Sequence, residues 1–142
     1  PFIGYENIGS DRYSGTYANA IESFGLMVKN LAGTTPVNKW NSQQINPSYA
    51  SVVYRLFTRG NEDIIALWSN DLSEKTVSFS TNPSANIEKV EITKFDADTS
   101  QFASVSEQEN MPATISVKPV KQFYYISVIS DKPNFGWLDG IN

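Results

Sequence analysis

From residue 50 to residue 129 apolar and polar residues alternate with a period of two, and this pattern constrains the fold more than any other feature. Polar turns rich in Gly, Pro, Asn and Asp divide it into seven segments, which we predict to be β-strands. They lie at 50–58, 63–69, 75–81, 87–95, 101–106, 113–118 and 122–129. A parallel sheet would need helical segments of about 10–15 residues between strands, and none separates these. We therefore expect a mainly β fold, an antiparallel β-sandwich of about seven to eight strands.

One α-helix is predicted before these strands. Apolar residues recur at helical spacing through residues 17–31. Ser14 is a suitable N-cap, because its hydroxyl can accept a hydrogen bond from a first-turn amide. Gly33 follows the last apolar residue and suits a left-handed C-terminal cap. The expected helix therefore runs from about Ser14 to Ala32.

Two strand segments are apolar at every position instead of alternating. These are IIALW, residues 64–68, and FYYI, residues 123–126. Side chains alternate between the two faces of a strand, so both faces of these segments are apolar. Such strands lie at the centre of a sheet whose outer face is also covered. We therefore predict that Trp68 belongs to the scaffold and is not a sugar-binding platform.

The composition excludes several classes of site and partner. The chain has no histidine and no cysteine, which excludes Ser-His-Asp and Cys-His catalysis, disulfide bonds and Cys/His zinc sites. The net charge is −4 and no block of Lys or Arg occurs, so nucleic acid is not expected as a partner. No apolar run is long enough to span a membrane. We expect no cofactor and no metal.

The acidic residues were the remaining candidates for acid–base chemistry. The pairs that stand close in sequence are Glu62–Asp63, Glu88–Glu91, Asp96–Asp98 and Glu107–Glu109. They are predicted to lie in turns or along strand exteriors, where nothing raises the pKa of one carboxyl beside another. The segment DADTS, 96–100, offers alternating oxygens but lacks the glycine and the final glutamate of a calcium-binding loop. No catalytic residue is therefore predicted.

Aromatic side chains are the other material from which a binding site could be built. The candidates for carbohydrate contact are Trp40, Trp137, Tyr5 and Tyr13, and the two tryptophans lie in loop-like segments. Large aromatic residues also fill cores and the seams between domains. The sequence leaves both interpretations open for Trp40 and Trp137.

Three segments carry a resemblance to a known class of enzyme. They are AIESFGLMVKNLAGTTPV at 20–37, VVYRLFTRGNEDIIALWSND at 52–71 and ISVKPVKQFYYISV at 115–128. They resemble the last barrel helix with its exit, the first hairpin and the closing strands of clan-A-type glycoside hydrolases. In that class a (β/α)8 barrel ends in a helix and the chain continues into a β-sandwich.

The resemblance implies a division of the chain and a role for it. Residues 1–36 would be an N-terminal segment with the helix, a possible barrel remnant, and residues 37–142 would be the sandwich domain. The family's catalytic glutamates lie on barrel strands that have no counterpart here, so the chain alone is not expected to be an enzyme. The expected role is that of an extracellular or periplasmic accessory domain that packs on a catalytic barrel of the same or a parent protein. The alternative is an independent carbohydrate-binding or adhesin-like module that contacts polysaccharide.

Overall fold

The structure is a computed structural model that describes residues 25–37, 52–69, 73–96, 103–117 and 122–141. The chain divides into two compact units, Pro1–Ala32 and Gly33–Asn142. Most of the described residues belong to the second unit, which contains all of the strands that the structure describes.

Among the described residues, 25–31 are helical. The last backbone hydrogen bond of this helix runs from the amide of Ala32 to the carbonyl of Val28, at 2.9 Å. Gly33 follows with a φ of 73°, which confirms the predicted left-handed cap. The predicted start at Ser14 lies outside the described residues.

The described residues form nine strands. These are β1 (Thr35–Pro36), β2 (Val52–Arg59), β3 (Glu62–Ser69), β4 (Lys75–Thr81), β5 (Ile87–Asp96), β6 (Ala103–Gln108), β7 (Thr114–Val117), β8 (Gln122–Ser130) and β9 (Leu138–Ile141). The larger sheet has the order β1-β2-β3-β8-β5-β6, and the smaller sheet has the order β7-β4-β9. All pairings are antiparallel, so the predicted mainly β, antiparallel fold is confirmed.

Two strands were not predicted. Strand β1 has two residues, one of them Pro36, and pairs with the end of β2. Residues 35–36, which the sequence places in the N-terminal segment, therefore belong to the larger sheet. Strand β9 contains Asp139 and Gly140, residue types that are depleted in strands, and it pairs with β4 beside an irregularity at Ser80/Thr81. Local sequence gave no sign of either strand.

The main core lies between the two sheets. Alternate residues of β3 and β8, among them Leu67 and Ile126, face Val77 and Phe79 of the smaller sheet. On β4 the neighbouring residues Thr76 and Ser80 are exposed. This confirms the predicted alternation of that strand, and it shows that the smaller sheet is apolar on one face only.

The β2–β3 hairpin sets the register of the larger sheet. Arg59 pairs with Glu62, and Gly60 and Asn61 form a two-residue turn. Gly60 has a φ of 62°, the left-handed value that a type II′ turn requires at this position. The Arg59 guanidinium also forms an ion pair with the Glu62 carboxylate across the first position of the ladder. Together these interactions fix which residues share each face of the sheet.

Tyr54 lies on the inner face of β2, with its ring against the core. Among the described residues, its hydroxyl is the one buried side-chain polar atom without a hydrogen-bond partner. Burial raises the pKa of Tyr54 to about 12. An unsatisfied buried hydroxyl loses its hydration on folding without compensation, so this group destabilises the native state.

We expect Tyr54→Phe to raise the free energy of unfolding by about 1 kcal/mol near neutral pH. The difference in unfolding free energy between Tyr54→Phe and the wild type should increase between about pH 10 and pH 12. In this window the unfolded tyrosine releases its proton while the folded one retains it, so the wild type loses stability as the pH rises. Urea unfolding of both proteins at neutral pH and at about pH 11 measures the difference.

Tyr124→Phe is the matched control, because the Tyr124 hydroxyl donates a hydrogen bond to the Ser116 carbonyl at 2.8 Å. That variant should lose about 1 kcal/mol. Equal losses in the two variants would contradict the assignment of Tyr54 as an unsatisfied group.

Candidate functional site

The register of the larger sheet arranges its outer face, the face directed away from the smaller sheet, in cross-strand rows. Residues directly opposite each other in an antiparallel pair project from the same face. One row, here called the aromatic row, consists of Val53, Trp68, Phe123, Phe95 and Ala103, on β2, β3, β8, β5 and β6. The next row consists of Arg55, Ala66, Tyr125, Thr93 and Val105.

The side chains of the aromatic row contact one another directly. The Trp68 and Phe123 rings stack with centroids 5.1 Å apart and an angle of 13° between their planes. Phe95 meets the Phe123 ring edge-on at 6.3 Å, and Tyr125 packs against both phenylalanines. The Arg55 guanidinium carbon lies 5.9 Å from the Trp68 ring centroid, within the range of a cation–π contact.

The centre of this outer face is buried as well as apolar. Ile64 has no exposed surface, and Ala66 and Tyr125 are 3% and 5% exposed, yet none of them belongs to the core between the sheets. Ile65 and Leu67, on the opposite face of β3, are part of that core and have no exposed surface. The predicted two-sided burial of residues 64–67 is therefore confirmed. Trp68 is partly exposed and lies at the border of the apolar area.

The opposite end of the outer face is charged. Glu62 forms an ion pair with Arg59 and accepts a hydrogen bond from the Ser127 hydroxyl. The Lys89 ammonium lies 3.2 Å from a Glu107 carboxylate oxygen and 3.9 Å from one of Glu91. The hydrogen bond and charge of Glu107, followed by the charges of Glu91 and Glu62, raise the pKa of Lys89. The outer face thus changes from aromatic to ion-paired along the strand direction.

Asp63 does not behave as the solvated turn acid that the sequence predicted. It has no exposed surface and lies on the inner face of β3. Its Oδ1 accepts hydrogen bonds from the Thr58 hydroxyl at 2.8 Å and the Asn134 amide at 3.1 Å. Its Oδ2 accepts from the Phe135 amide and the Trp137 indole Nε1, both at 2.8 Å. The Asp63 carboxylate thus accepts four hydrogen bonds and has a structural role, because it links β3 to Thr58 and to residues 134–137.

Asp63 fixes the position of residues 134–137, which we call the anchored turn. Asn134 and Phe135 have φ values of 60° and 61°, in the left-handed region that residues other than glycine seldom occupy. Two consecutive residues in this conformation persist only where surrounding contacts enforce it. The Asp63 carboxylate supplies those contacts, because it binds both backbone amides.

The structure does not support carbohydrate contact by Trp137. Its ring has no exposed surface, belongs to the core between the sheets and packs 5.9 Å from the ring of Phe135. No face of the indole is available to a sugar. Trp40, Tyr5 and Tyr13 lie outside the described residues, and their role in carbohydrate contact stays a prediction.

A cleft of about 370 Å³ opens at the edge of the sandwich between β5 and β7. We call it the edge cleft. It is lined by Glu74, Ile92, Lys94, Pro112, Thr114, Ile115, Ser116, Gln122 and Tyr124. The Tyr124 hydroxyl bonds to the Ser116 carbonyl and thereby joins β8 to β7 at the inner end of the cleft. The larger sheet extends beyond this contact by β5 and β6, which leaves part of its inner face open.

A buried polar network supports the edge cleft. Gln122, 5% exposed, donates from Nε2 to Asp96 Oδ2 at 2.8 Å, and the Lys94 ammonium lies 3.5 Å from the same oxygen. Asp96 was predicted to be a turn acid, but it is a buried residue at the end of β5. Burial, then the charges of Asp96 and Glu74, raise the pKa of Tyr124 to about 12. Its hydroxyl therefore stays protonated at neutral pH and donates to the Ser116 carbonyl.

Neither a metal centre nor a membrane span is found in the parts of the chain that the structure describes. No three acidic side chains there converge on a common point where a cation could bind. No helix in those parts is both long enough and apolar enough to cross a bilayer.

Comparison with known proteins gives partial structural matches to glycoside hydrolases. No protein family and no curated protein matches the chain. A β-porphyranase of glycoside hydrolase family 86 from the human gut bacterium Bacteroides plebeius matches 60% of this chain, with a TM-score of 0.48 and 21% identity. A GH30 endoxylanase from Clostridium papyrosolvens C71 matches 80% of it, with a TM-score of 0.47 and 12% identity. The chain spans only 16% and 27% of the lengths of these two proteins.

Proposed function

We propose that this chain is the non-catalytic β-sandwich accessory domain of an extracellular or periplasmic carbohydrate-active enzyme of the glycoside hydrolase class. It packs on a catalytic (β/α)8 barrel of the same or a parent protein through the exposed edge of its outer face and stabilises that barrel. The choice of a barrel follows the sequence resemblance described above. The observation that carries the proposal is the exposed apolar edge of the outer face, at Val105 of β6, because the centre of that face is already buried within this chain.

The two sheets differ in the character of their outer faces. The smaller sheet exposes Thr76 and Ser80, as expected of a sheet with one solvated face. The larger sheet has aromatic and aliphatic residues at its centre, and Val105 at its edge is 51% exposed. The exposed edge of this face, beside its buried centre, is where a partner domain could extend the apolar contact.

Further apolar surface is present on the helix. Met27 and Val28 are 37% and 46% exposed. Apolar helix residues with this exposure are suited to packing against another domain. The helix and the sheet therefore both carry surface that a barrel could bury.

The described acids support a non-catalytic role. Asp63 and Asp96, the two that are buried, hold the anchored turn and the polar network of the edge cleft. Glu62, Glu91 and Glu107 take part in the ion pairs and hydrogen bonds of the outer face. Glycoside hydrolysis needs one carboxyl to act as an acid and a second as a nucleophile or base across a bound sugar. These side chains have structural partners instead.

The docking proposal is tested with Val105→Glu in a protein that also contains the residues encoded before Pro1. We expect those residues to form a barrel and the variant to lose about 2 kcal/mol of unfolding free energy, because docking would bury an unpaired charge. In the 142-residue chain alone the same change should cost less than about 0.5 kcal/mol, since Val105 is exposed there. Urea unfolding of both lengths gives the two values.

Ser104→Glu is the matched control, because Ser104 is the exposed neighbour on β6 whose side chain projects from the other face. It should leave the stability of both lengths unchanged. Equal effects of the two variants in the longer protein would refute docking through this face. An upstream region that encodes an unrelated fold would refute the barrel as the partner.

A further inference from the structure

We propose that the edge cleft binds a neutral oligosaccharide, with Glu74, Lys94, Gln122 and Tyr124 as its polar contacts. The choice of a sugar over another polyhydroxylated ligand rests on the proposed function. The site itself does not depend on docking, because it opens between the sheets at β5 and β7 and not on the outer face.

The cleft is an open groove of about 370 Å³ whose innermost polar side chains are fixed in place. Gln122 and Tyr124, 5% and 6% exposed, line it and are held by hydrogen bonds to Asp96 and Ser116. Polar groups fixed in this way need little reordering when a ligand binds.

Strand β7 contributes a second kind of polar group. Within the part of the chain that the structure describes, it is an edge strand of the smaller sheet and pairs with β4 along one side only. The Ser116 carbonyl, which accepts from Tyr124, shows that the unpaired side of β7 faces the cleft. Backbone groups on that side are suited to hydrogen bonds with ligand hydroxyls.

The chemistry of the lining matches an uncharged ligand with many hydroxyl groups. Glu74 is an acceptor and Lys94 a donor of opposite charge, and Lys94 also lies beside the Asp96 carboxylate. The cleft therefore has no excess of positive charge to select an anion. Ile92, Ile115 and Pro112 provide apolar wall against which the CH groups of a sugar ring can pack.

The test is an NMR titration of the 142-residue chain with cellohexaose and xylohexaose, and with hexagalacturonate as an anionic comparison. We expect saturable shifts of the Thr114–Ser116 amides and the Gln122 side-chain amide with at least one neutral sugar. Glu74→Ala should weaken that binding about tenfold, or about 1.4 kcal/mol. Glu88→Ala, at an exposed acid of β5 outside the cleft, should bind like the wild type.

Three results would overturn the proposal. They are the absence of binding by both neutral sugars at millimolar concentration, shifts confined to residues outside the cleft, and stronger binding of hexagalacturonate. Equal affinities of the Glu74→Ala and Glu88→Ala variants would also overturn it. Val105→Glu should leave sugar affinity unchanged, so a failure of the docking proposal and a failure of this one are distinguishable.

Discussion

Replacing Asp63 with alanine should lower the free energy of unfolding by about 4 kcal/mol. The change removes the acceptor of four hydrogen bonds at once. The Phe135 amide and the Trp137 indole N–H are buried, and each buried donor left without a partner costs about 1–3 kcal/mol. The left-handed backbone at residues 134–135 also loses the contacts that enforce it.

Two further variants separate the hydrogen bonds from the loss of side-chain volume. Asp63→Asn retains one acceptor oxygen and should lose less stability than Asp63→Ala. Asp139→Ala removes an exposed carboxyl from β9 and should change the stability by less than about 0.5 kcal/mol. Urea denaturation followed by tryptophan fluorescence and by circular dichroism measures all three. An Asp63→Ala loss no larger than the Asp139→Ala loss would show that the four bonds contribute nothing.

Trp137→Ala should be comparably destabilising, with a loss of about 3–5 kcal/mol. Trp137 has no exposed surface and is among the largest side chains of the core, so its removal leaves a large cavity. The change also deprives Asp63 of one donor. Because the two residues share a hydrogen bond, the double variant Asp63→Ala/Trp137→Ala should lose less than the sum of the single losses.

Trp68→Ala is the matched comparison for Trp137→Ala. The Trp68 ring is partly exposed, with one side on Phe123, so its removal should cost only about 2 kcal/mol. Comparison of the two losses of unfolding free energy shows which tryptophan contributes more to stability. A larger loss in Trp68→Ala than in Trp137→Ala would contradict the placement of both rings.

Much of the fold could be predicted, because in most strands the local pattern and the tertiary environment agree. KTVSFST alternates, and in the structure Val77 and Phe79 are buried while Thr76 and Ser80 are exposed. IIALW does not alternate, and its residues 64–67 are buried on both faces, while Trp68 is partly exposed. Strand β9 was missed because its Asp and Gly disfavour strands, and its pairing with β4 is decided by the tertiary structure.

The candidate sites were less accessible from sequence, because their partners are distant along the chain. Asp63 follows a hairpin turn and was interpreted as a solvated acid, while three of its four partners are 71 to 74 residues away. One signal was present, since Asp63 has the same phase of alternation as Ile65 and Leu67 and therefore points into the core. Trp137 was placed in a loop, correctly, but nothing nearby in sequence indicated that the loop folds inward.

The position of β8 dictates the order in which the larger sheet can assemble. Strands β2–β3 and β5–β6 are each hairpins of neighbouring segments and can form early, whereas β8 lies between β3 and β5 and joins them. Until residues 122–130 have left the ribosome, the apolar edges of β3 and β5 have no partner. Unpaired edges of this kind are prone to pair with other chains. A stall that holds residues 122–130 inside the ribosome should therefore increase aggregation during synthesis, whereas a stall after these residues have emerged should not.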